Sequence, residues 1–143
     1  MTRWLRSAGA AALAALALGW AEAALADESA IAVELNKLEA VDGACRAFLV
    51  IENDTGSAFE ALALDLVVFD AEGVIAERLA VDLAPLSPGR VLVKAFDIAG
   101  LACAEAGRFL VNGVLECRGP EGALEGCAGL VAPRGRGDLR FVG

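Results

Sequence analysis

Residues 59–83 read FEALALDLVVFDAEGVIAERLAVDL, and this stretch decides the fold class. Leucine or valine occupies every second position over 62–68, which places these side chains on one face of an extended strand. A short AEG turn follows at 71–73, where glycine adopts positive φ without strain. Leucine and valine then alternate again over 79–83. The stretch therefore predicts a β-hairpin with one buried face.

Short alternating runs of the same kind continue on both sides of the hairpin. We predict further strands at 31–39, 45–53, 90–97 and 108–117, a short edge strand at 139–142, and a flexible stretch at 132–137. Turn residues separate the runs about every ten residues, and this spacing is typical of an antiparallel β-sandwich. The sequence therefore predicts an all-β sandwich of about six or seven strands.

The alternation also predicts which side chains lie between the two sheets. The predicted core comprises Leu49, Ile51, Leu64, Leu66, Val81 and Val93. In the strand at 90–97, Val91, Val93 and Ala95 are predicted to face the core, and Arg90 and Lys94 to face solvent.

The carboxylates of the hairpin have no predicted catalytic role. Asp65, Glu77 and Asp82 fall on its apparent outer faces, where acidic side chains keep a sheet soluble. Asp70 flanks the turn, where aspartate commonly hydrogen-bonds the local backbone. The pattern therefore predicts no carboxylate pair for acid–base chemistry.

The N-terminal segment has the organisation of an export signal. Arg3 and Arg6 precede an apolar run over 7–20, and Ala-Leu-Ala at 24–26 fits the small-x-small cleavage rule. The run is short for a permanent membrane anchor of roughly 20 residues. Because the two arginines are not adjacent, export of the unfolded chain is favoured over the twin-arginine route.

We therefore predict a signal peptide at 1–26 that is cleaved after Ala26. Cleavage leaves a single domain at 27–143 in the periplasm, with Asp27 as its N-terminus. No cysteine lies at the cleavage site, so no lipid anchor and no stable membrane insertion are predicted.

Composition disfavours several classes of function. The chain has 12 basic and 20 acidic residues, a net charge of −8, which disfavours binding to nucleic acid and to anionic lipid. It has no histidine, so Ser29, Ser57 and Ser87 lack the usual catalytic base. Lys94 is predicted to be an exposed strand residue rather than a base. No phosphate loop or dinucleotide fingerprint occurs. We therefore predict no enzyme activity, no catalytic residue and no cofactor.

Three short motifs lie in two predicted loops. The loop at 52–57 holds several oxygen ligands, but it lacks the alternating ligand pattern of a calcium loop, so no metal site is predicted. Asn53-Asp54-Thr55 forms a glycosylation triplet, which carries weight only in a secreted eukaryotic protein. The adhesion tripeptide Arg136-Gly137-Asp138 is a combination that arises by chance in a glycine- and arginine-rich tail.

The cysteines Cys45, Cys103, Cys117 and Cys127 all lie in the predicted exported domain. An even number in a small exported domain predicts two disulfides. Zinc is disfavoured because there is no histidine and no C-x-x-C pair. The preferred pairing is Cys45–Cys103 with Cys117–Cys127, since the glycine-rich segment between the last two can double back. The alternative pairing, Cys103–Cys117 with Cys45–Cys127, stays open.

At the level of fold, residues 59–89 resemble bacterial extracytoplasmic immunoglobulin-like (Ig-like) modules of the FxLYD type. The shared features are Phe69-Asp70 at the end of a strand, Gly73 in the turn, and Pro88-Gly89 in the next loop. This resemblance implies an Ig-like antiparallel β-sandwich.

Nearly all of the predicted mature chain resembles an uncharacterised alphaproteobacterial family labelled "Tat pathway signal sequence domain protein". The similar segments are VELNKLE, ACRAFLVIEN, LALDLVVFDAEGVIAERLAVDLAPL, KAFDIAGLAC, VNGVLEC and LEGC. That family is exported, and its genes often lie beside those of the TonB–ExbB–ExbD energy-transducing system. The resemblance implies a periplasmic accessory protein and supplies no site residues. The chain departs from the family's label because Arg3 and Arg6 are not adjacent.

Two functions are consistent with these observations. The favoured one is a non-catalytic periplasmic module that binds another envelope protein, associated with the TonB–ExbB–ExbD system. The alternative is a periplasmic carrier of a small ligand, or an enzyme of an unrecognised type. The lack of histidine favours the first.

Overall fold

The computed structural model describes residues 30–143. The predicted signal peptide at 1–26, the predicted N-terminus at Asp27 and the candidate nucleophile Ser29 lie outside the described residues. The strands are β1 (Ile31–Val41), β2 (Ala44–Asn53), β3 (Ala61–Asp70), β4 (Ile75–Asp82), β5 (Val91–Ala99), β6 (Ala106–Gly119), β7 (Gly122–Ala123), β8 (Val131–Gly135) and β9 (Phe141–Val142). Short 3-10 helices lie at Cys103–Glu105 and Cys127–Leu130.

The strands form two sheets that enclose one core. The first sheet has the order β5-β2-β1-β8, and the second has the order β4-β3-β6-β7 with β9 beside β6. The pairs β1–β8 and β6–β9 are parallel, and the other pairs are antiparallel. The predicted hairpin is β3–β4, with Gly73 at a φ of 84° in its turn. The predicted all-β sandwich is therefore confirmed.

The core between the sheets is mostly aliphatic. Five of the six predicted core residues are buried, namely Leu49, Ile51, Leu64, Leu66 and Val81. The side chains on β3 follow the predicted alternation. The leucine and valine side chains at 62, 64, 66 and 68 are all inaccessible to solvent. Residues 59–83 thus provide two neighbouring strands of the second sheet, the edge strand β4 and the inner strand β3.

The sixth predicted core residue, Val93, is 61 % exposed, so its predicted burial is wrong. The strand register explains the error. Val93 lies opposite Val50, whereas Leu92 lies opposite Ile51. Cross-strand partners share a face of the sheet, and Ile51 is buried. Leu92 therefore faces the core, and Val93 faces outward.

The same register corrects the prediction that Lys94 faces solvent. Lys94 lies opposite Leu49 on the inner face, and its Nζ donates to the carbonyl oxygen of Ala84 at 3.3 Å. The lysine stem can lie along apolar surface while its ammonium group reaches a polar partner. β5 has apolar residues at both odd and even positions, so alternation alone did not determine its inner face. The larger Leu92 and Phe96 occupy that face.

The flexible stretch predicted at 132–137 is also wrong, because most of it belongs to β8. This strand pairs in parallel with β1, from Val131 beside Ile31 to Gly135 beside Leu35. Pro133 weakens the strand signal, since proline is tolerated essentially only in edge strands, and β8 is the edge of the first sheet. The edge strand predicted at 139–142 is confirmed in shorter form as β9.

Both predicted disulfides are confirmed, and the alternative pairing is excluded. Cys45–Cys103 joins the start of β2 to the 3-10 turn after β5, with a Cα–Cα distance of 5.0 Å. Cys117–Cys127 joins β6 to the second 3-10 turn, with a Cα–Cα distance of 6.5 Å. Residues 30–143 contain no helix that could span a lipid bilayer.

Candidate functional site

One of the two edge strands of the first sheet, β5, exposes an apolar patch. Val91 and Val93 of β5 are 56 % and 61 % exposed. On β2, Val50 and Phe48 lie opposite Val93 and Ala95 and share their outer face. We term Phe48, Val50, Val91, Val93 and Ala95 the β5 patch.

The backbone of β5 is paired on one side only within the described part of the chain, because β2 is its single neighbour in the sheet. Every second residue of an edge strand directs its N–H and C=O groups away from the sheet. An extended segment of another chain can pair with such an edge through backbone hydrogen bonds. The β5 patch would then supply side-chain contacts beside the paired backbone.

Charged side chains border the β5 patch where β2 begins. Arg46 donates from Nε and Nη2 to the two carboxylate oxygens of Asp97, at 2.6 and 3.0 Å. These hydrogen bonds lower the pKa of Asp97 and raise the pKa of Arg46 from their ordinary values. Lys37 Nζ lies 5.5 Å from the centroid of the Phe48 ring. This ion pair links the end of β5 to β2. Val91 and Val93 lie nearer the start of β5.

A depression of about 340 Å³ adjoins the other end of the patch. Its lining residues are Pro85, Ser87, Arg90, Leu92, Val93 and Lys94. Neither Arg90 nor Lys94 forms an ion pair with another residue of 30–143. Glu52 of β2 lies opposite Val91 at the same end of the patch, so this end of β5 carries charges of both signs.

The second sheet holds a polar cluster that the sequence did not predict. Asp65, predicted as a solubilising residue, is only 5 % exposed on the outer face. Its carboxylate accepts hydrogen bonds from Arg78 Nε and Nη2 at 2.8 and 2.7 Å, and from Asn112 Nδ2 at 2.7 Å. These hydrogen bonds lower the pKa of Asp65 from 3.8 to about 2, and those from Arg78 have the largest effect. Glu77 and Asp82 are exposed, as predicted.

The Asp65 cluster joins three strands rather than forming a reactive centre. Arg78 lies on β4 and Asn112 on β6, at separations of 13 and 47 residues from Asp65. Each acidic oxygen already accepts at least one hydrogen bond, so the carboxylate is held in its ionised form. No local sequence signal links these positions, because only the strand register brings them together.

The loop at 52–57, which has several possible calcium ligands, is organised by hydrogen bonds of Asn53. This side chain is inaccessible to solvent. Its Nδ2 donates to the backbone carbonyls of Ser57 and Ser87 at 2.7 and 3.1 Å, and its Oδ1 accepts from Thr55. The candidate nucleophiles Ser57 and Ser87 thus lie on two loops that Asn53 holds together. Across 30–143, no group of three or more His, Cys, Asp or Glu side chains is placed to hold a metal ion.

A shallow depression of about 500 Å³ lies beside the Cys45–Cys103 disulfide. Alanine and glycine residues from 40–44 and 100–104 make up most of its lining. No charged side chain lines it, so it offers little to orient a polar ligand. The β5 patch with its free edge is therefore the better candidate site.

No protein-family model, curated protein or solved structure matches this chain.

Proposed function

We propose that this chain is a non-catalytic periplasmic binding module with an Ig-like β-sandwich. In this proposal β5 receives an extended segment of another envelope protein. The observation that carries the proposal is the exposure of Val91 and Val93 on a strand whose second edge is unpaired within residues 30–143. Strand addition uses both features, since backbone pairing gives affinity and alternate side chains give specificity.

Strand order supports the Ig-like part of the proposal. In Ig domains of the constant type, the first, second and fifth strands are neighbours in one sheet, and the third and sixth are neighbours in the other. Here β1, β2 and β5 are neighbours, as are β3 and β6. The resemblance of residues 59–89 to FxLYD-type modules points the same way.

The disulfides support the location. Two disulfides in a chain without free cysteines indicate an oxidising compartment outside the cytoplasm. Together with the predicted signal peptide at 1–26, they favour the periplasm.

Charge limits the kind of segment that β5 accepts. Arg90 and Lys94 adjoin the patch, while Arg46 is already paired with Asp97. A segment that alternates apolar and acidic residues would place apolar side chains on the valines and its acidic end near Arg90. The resemblance to the exported family makes the TonB–ExbB–ExbD system the first partner to examine.

Affinity capture from solubilised envelopes tests this function. The bait is the wild-type protein, with Val93→Lys as the test variant and Ile75→Lys as the matched control. Ile75 is a β-branched residue of β4, an edge strand of the second sheet, and is 60 % exposed. We expect wild type and Ile75→Lys to recover the same protein, and Val93→Lys to recover at least tenfold less, since a charge placed on an edge strand opposes strand addition.

Each outcome of the capture experiment has a distinct meaning. Recovery of TonB-system components by wild type and Ile75→Lys would support the specific partner. Equal recovery by all three baits would exclude β5 as the binding edge. Recovery of no protein, with a small molecule retained through purification, would instead support the alternative of a periplasmic ligand carrier.

A further inference from the structure

Two arginines and a phenylalanine come together on the outer face of the second sheet, away from the β5 patch. Phe69 on β3 lies opposite Arg108 on β6. On the other side of β6, Phe109 lies beside Phe141 of β9 in parallel register, so Arg140 is the neighbour of Arg108. Phe109 and Phe141 are buried, and alternation therefore directs the preceding arginines outward.

The Arg108 side chain is held in place by the aromatic ring beside it. Its Cζ lies 4.5 Å from the centroid of the Phe69 ring, a cation–π distance. Its Nε is shielded from solvent and has no hydrogen-bond partner among the described residues. A shielded N–H without an acceptor is uncommon in folded proteins and calls for an explanation.

The second cation, Arg140, is exposed, and its backbone carbonyl accepts a hydrogen bond from the Phe109 N–H at 2.9 Å. This bond fixes β9 against β6 at the position of the two arginines. Neither Arg108 nor Arg140 forms an ion pair with another residue of 30–143. Like charges on neighbouring strands repel each other, so this arrangement favours an anion between or beside them.

The turn of the β3–β4 hairpin closes the other side of a pocket of about 160 Å³. Its lining residues are Phe69, Asp70, Ala71, Gly73, Gly107, Arg108 and Arg140. Gly107 permits this closure, because a Cβ at this position would collide with the carbonyl group of Asp70. The pocket is therefore built by backbone that passes close to the two arginines.

Asp70 is the one acidic residue that lines this pocket, and its carboxylate already has partners. Asp70 Oδ1 accepts hydrogen bonds from the N–H groups of Glu72 and Val74, at 3.0 and 2.9 Å. Two arginines beside one aspartate leave a local charge of one positive unit, which a singly charged anion would balance. The planar guanidinium group matches the geometry of a carboxylate.

We propose that Arg108, Arg140 and Phe69 form a binding site for a carboxylate group. The carboxylate comes either from a small free acid or from the C-terminus or acidic side chain of a polypeptide. Arg108 supplies an oriented guanidinium group, and Arg140 supplies a second, exposed cation. The site is on the second sheet and the β5 patch is on the first. The two proposals can therefore be tested independently.

The experiment is a titration followed by NMR of the arginine Nε–H signals, using isotope-labelled protein expressed as the full chain. Sodium acetate is the first probe. We expect the Arg108 Nε–H signal to shift and saturate over the millimolar range, because this N–H lies at the proposed site. Arg140→Gln should weaken acetate binding about tenfold, the loss expected for one charge-assisted hydrogen bond. The matched control is Arg90→Gln, which removes the same charge from an exposed arginine elsewhere and should leave the titration unchanged.

Further probes separate the sources of the carboxylate and test its chemistry. A short peptide is compared with its C-terminally amidated form. Tighter binding of the free-acid peptide than of acetate assigns the site to a polypeptide carboxylate, and equal binding assigns it to small acids. The proposal is overturned if inorganic phosphate binds in preference to acetate. It is equally overturned if the Arg108 signal does not move, or if all arginine signals shift together and Arg90→Gln weakens the effect as much as Arg140→Gln.

Discussion

β4 and β5 are both outermost strands, yet they present different surfaces. β4 exposes Glu77, Arg78 and Asp82 along its length, and its exposed large apolar residue, Ile75, is at its first position. β5 exposes Val91 and Val93. Charged side chains on an edge strand discourage pairing with another chain, whereas exposed valines favour it. Within residues 30–143, β4 is therefore the better protected edge, and we propose β5 as the edge that binds a partner.

The two edges also differ in how they are fastened to the sheet. On β4, Arg78 makes a bidentate pair with Asp65 of β3, whose side chain is 7 % exposed. On β5, Asp97 makes a bidentate pair with Arg46 of β2, and its side chain is 45 % exposed. Exposed ion pairs contribute little to stability because water and salt screen them. The ion pair at β4 is therefore expected to hold its edge more firmly than the one at β5.

The largest loss of stability is expected from a change in the core where β3 pairs with β4. Leu66 is fully buried and lies opposite Leu79 of β4. Leu66→Ala should lower the free energy of unfolding by about 2–5 kcal/mol, since it removes buried apolar contacts and leaves a cavity. Val93→Ala on β5 is the contrasting variant, and should change it by less than about 0.5 kcal/mol. Urea denaturation measures both, and equal midpoints would refute the assignment of inner and outer faces.

The next largest loss of stability is expected from removing a disulfide. Replacing Cys45 and Cys103 by alanine should cost about 4 kcal/mol, because that disulfide closes a long loop. Replacing Cys117 and Cys127, which lie 10 residues apart, should cost about 3 kcal/mol. Cys45 pairs with Ile98 at the end of β5, so the first change also loosens this edge. Denaturation midpoints of the two double variants decide the order, and a greater loss for Cys117 and Cys127 would contradict the loop-length argument.

Acid should reveal the difference between the two ion pairs. The pKa of Asp65 is about 2 in the folded chain and 3.8 ordinarily. Because the folded value is the lower one, its contribution is complete above about pH 4 and is lost as pH falls towards 2. Melting temperatures from pH 5 to pH 2 should therefore fall less steeply in Asp65→Asn than in wild type. Asp97→Asn is the matched variant at β5 and should change the slope less. If both variants changed the pH dependence of the melting temperature equally, the two ion pairs would not differ in how firmly they hold their edge strands.

The sequence predicts β3 well and β5 poorly, for a physical reason. Along β3 the inner positions are all large and aliphatic, so one register is strongly preferred. In β5 both faces hold apolar residues, and the pairing with β2 decided that Val93 faces outward. The disulfide pairing was predictable because only 10 residues separate Cys117 from Cys127, which leaves Cys45 to pair with Cys103. Asp65 was not, since its partners come from β4 and β6 and no local pattern links them.

The same limit applies to the candidate sites. The exposed edge at β5 follows from sheet order, which the alternating pattern does not contain. The neighbouring arginines Arg108 and Arg140 depend on a parallel pairing between β6 and β9 that brings distant residues together. The residue types in each site are visible in the sequence, but their proximity is a property of the register.

The most direct test of the open edge is photo-crosslinking in intact cells from position 93, with position 75 on β4 as the matched control. Both residues are about equally exposed, at 61 % and 60 %. Replacing either should change the free energy of unfolding by less than about 0.5 kcal/mol, so folding does not confound the comparison. We expect an adduct with one envelope protein from position 93 and no adduct with that same protein from position 75. Adducts of equal yield from both positions, an adduct only from position 75, or an adduct only with a second copy of this chain would contradict it.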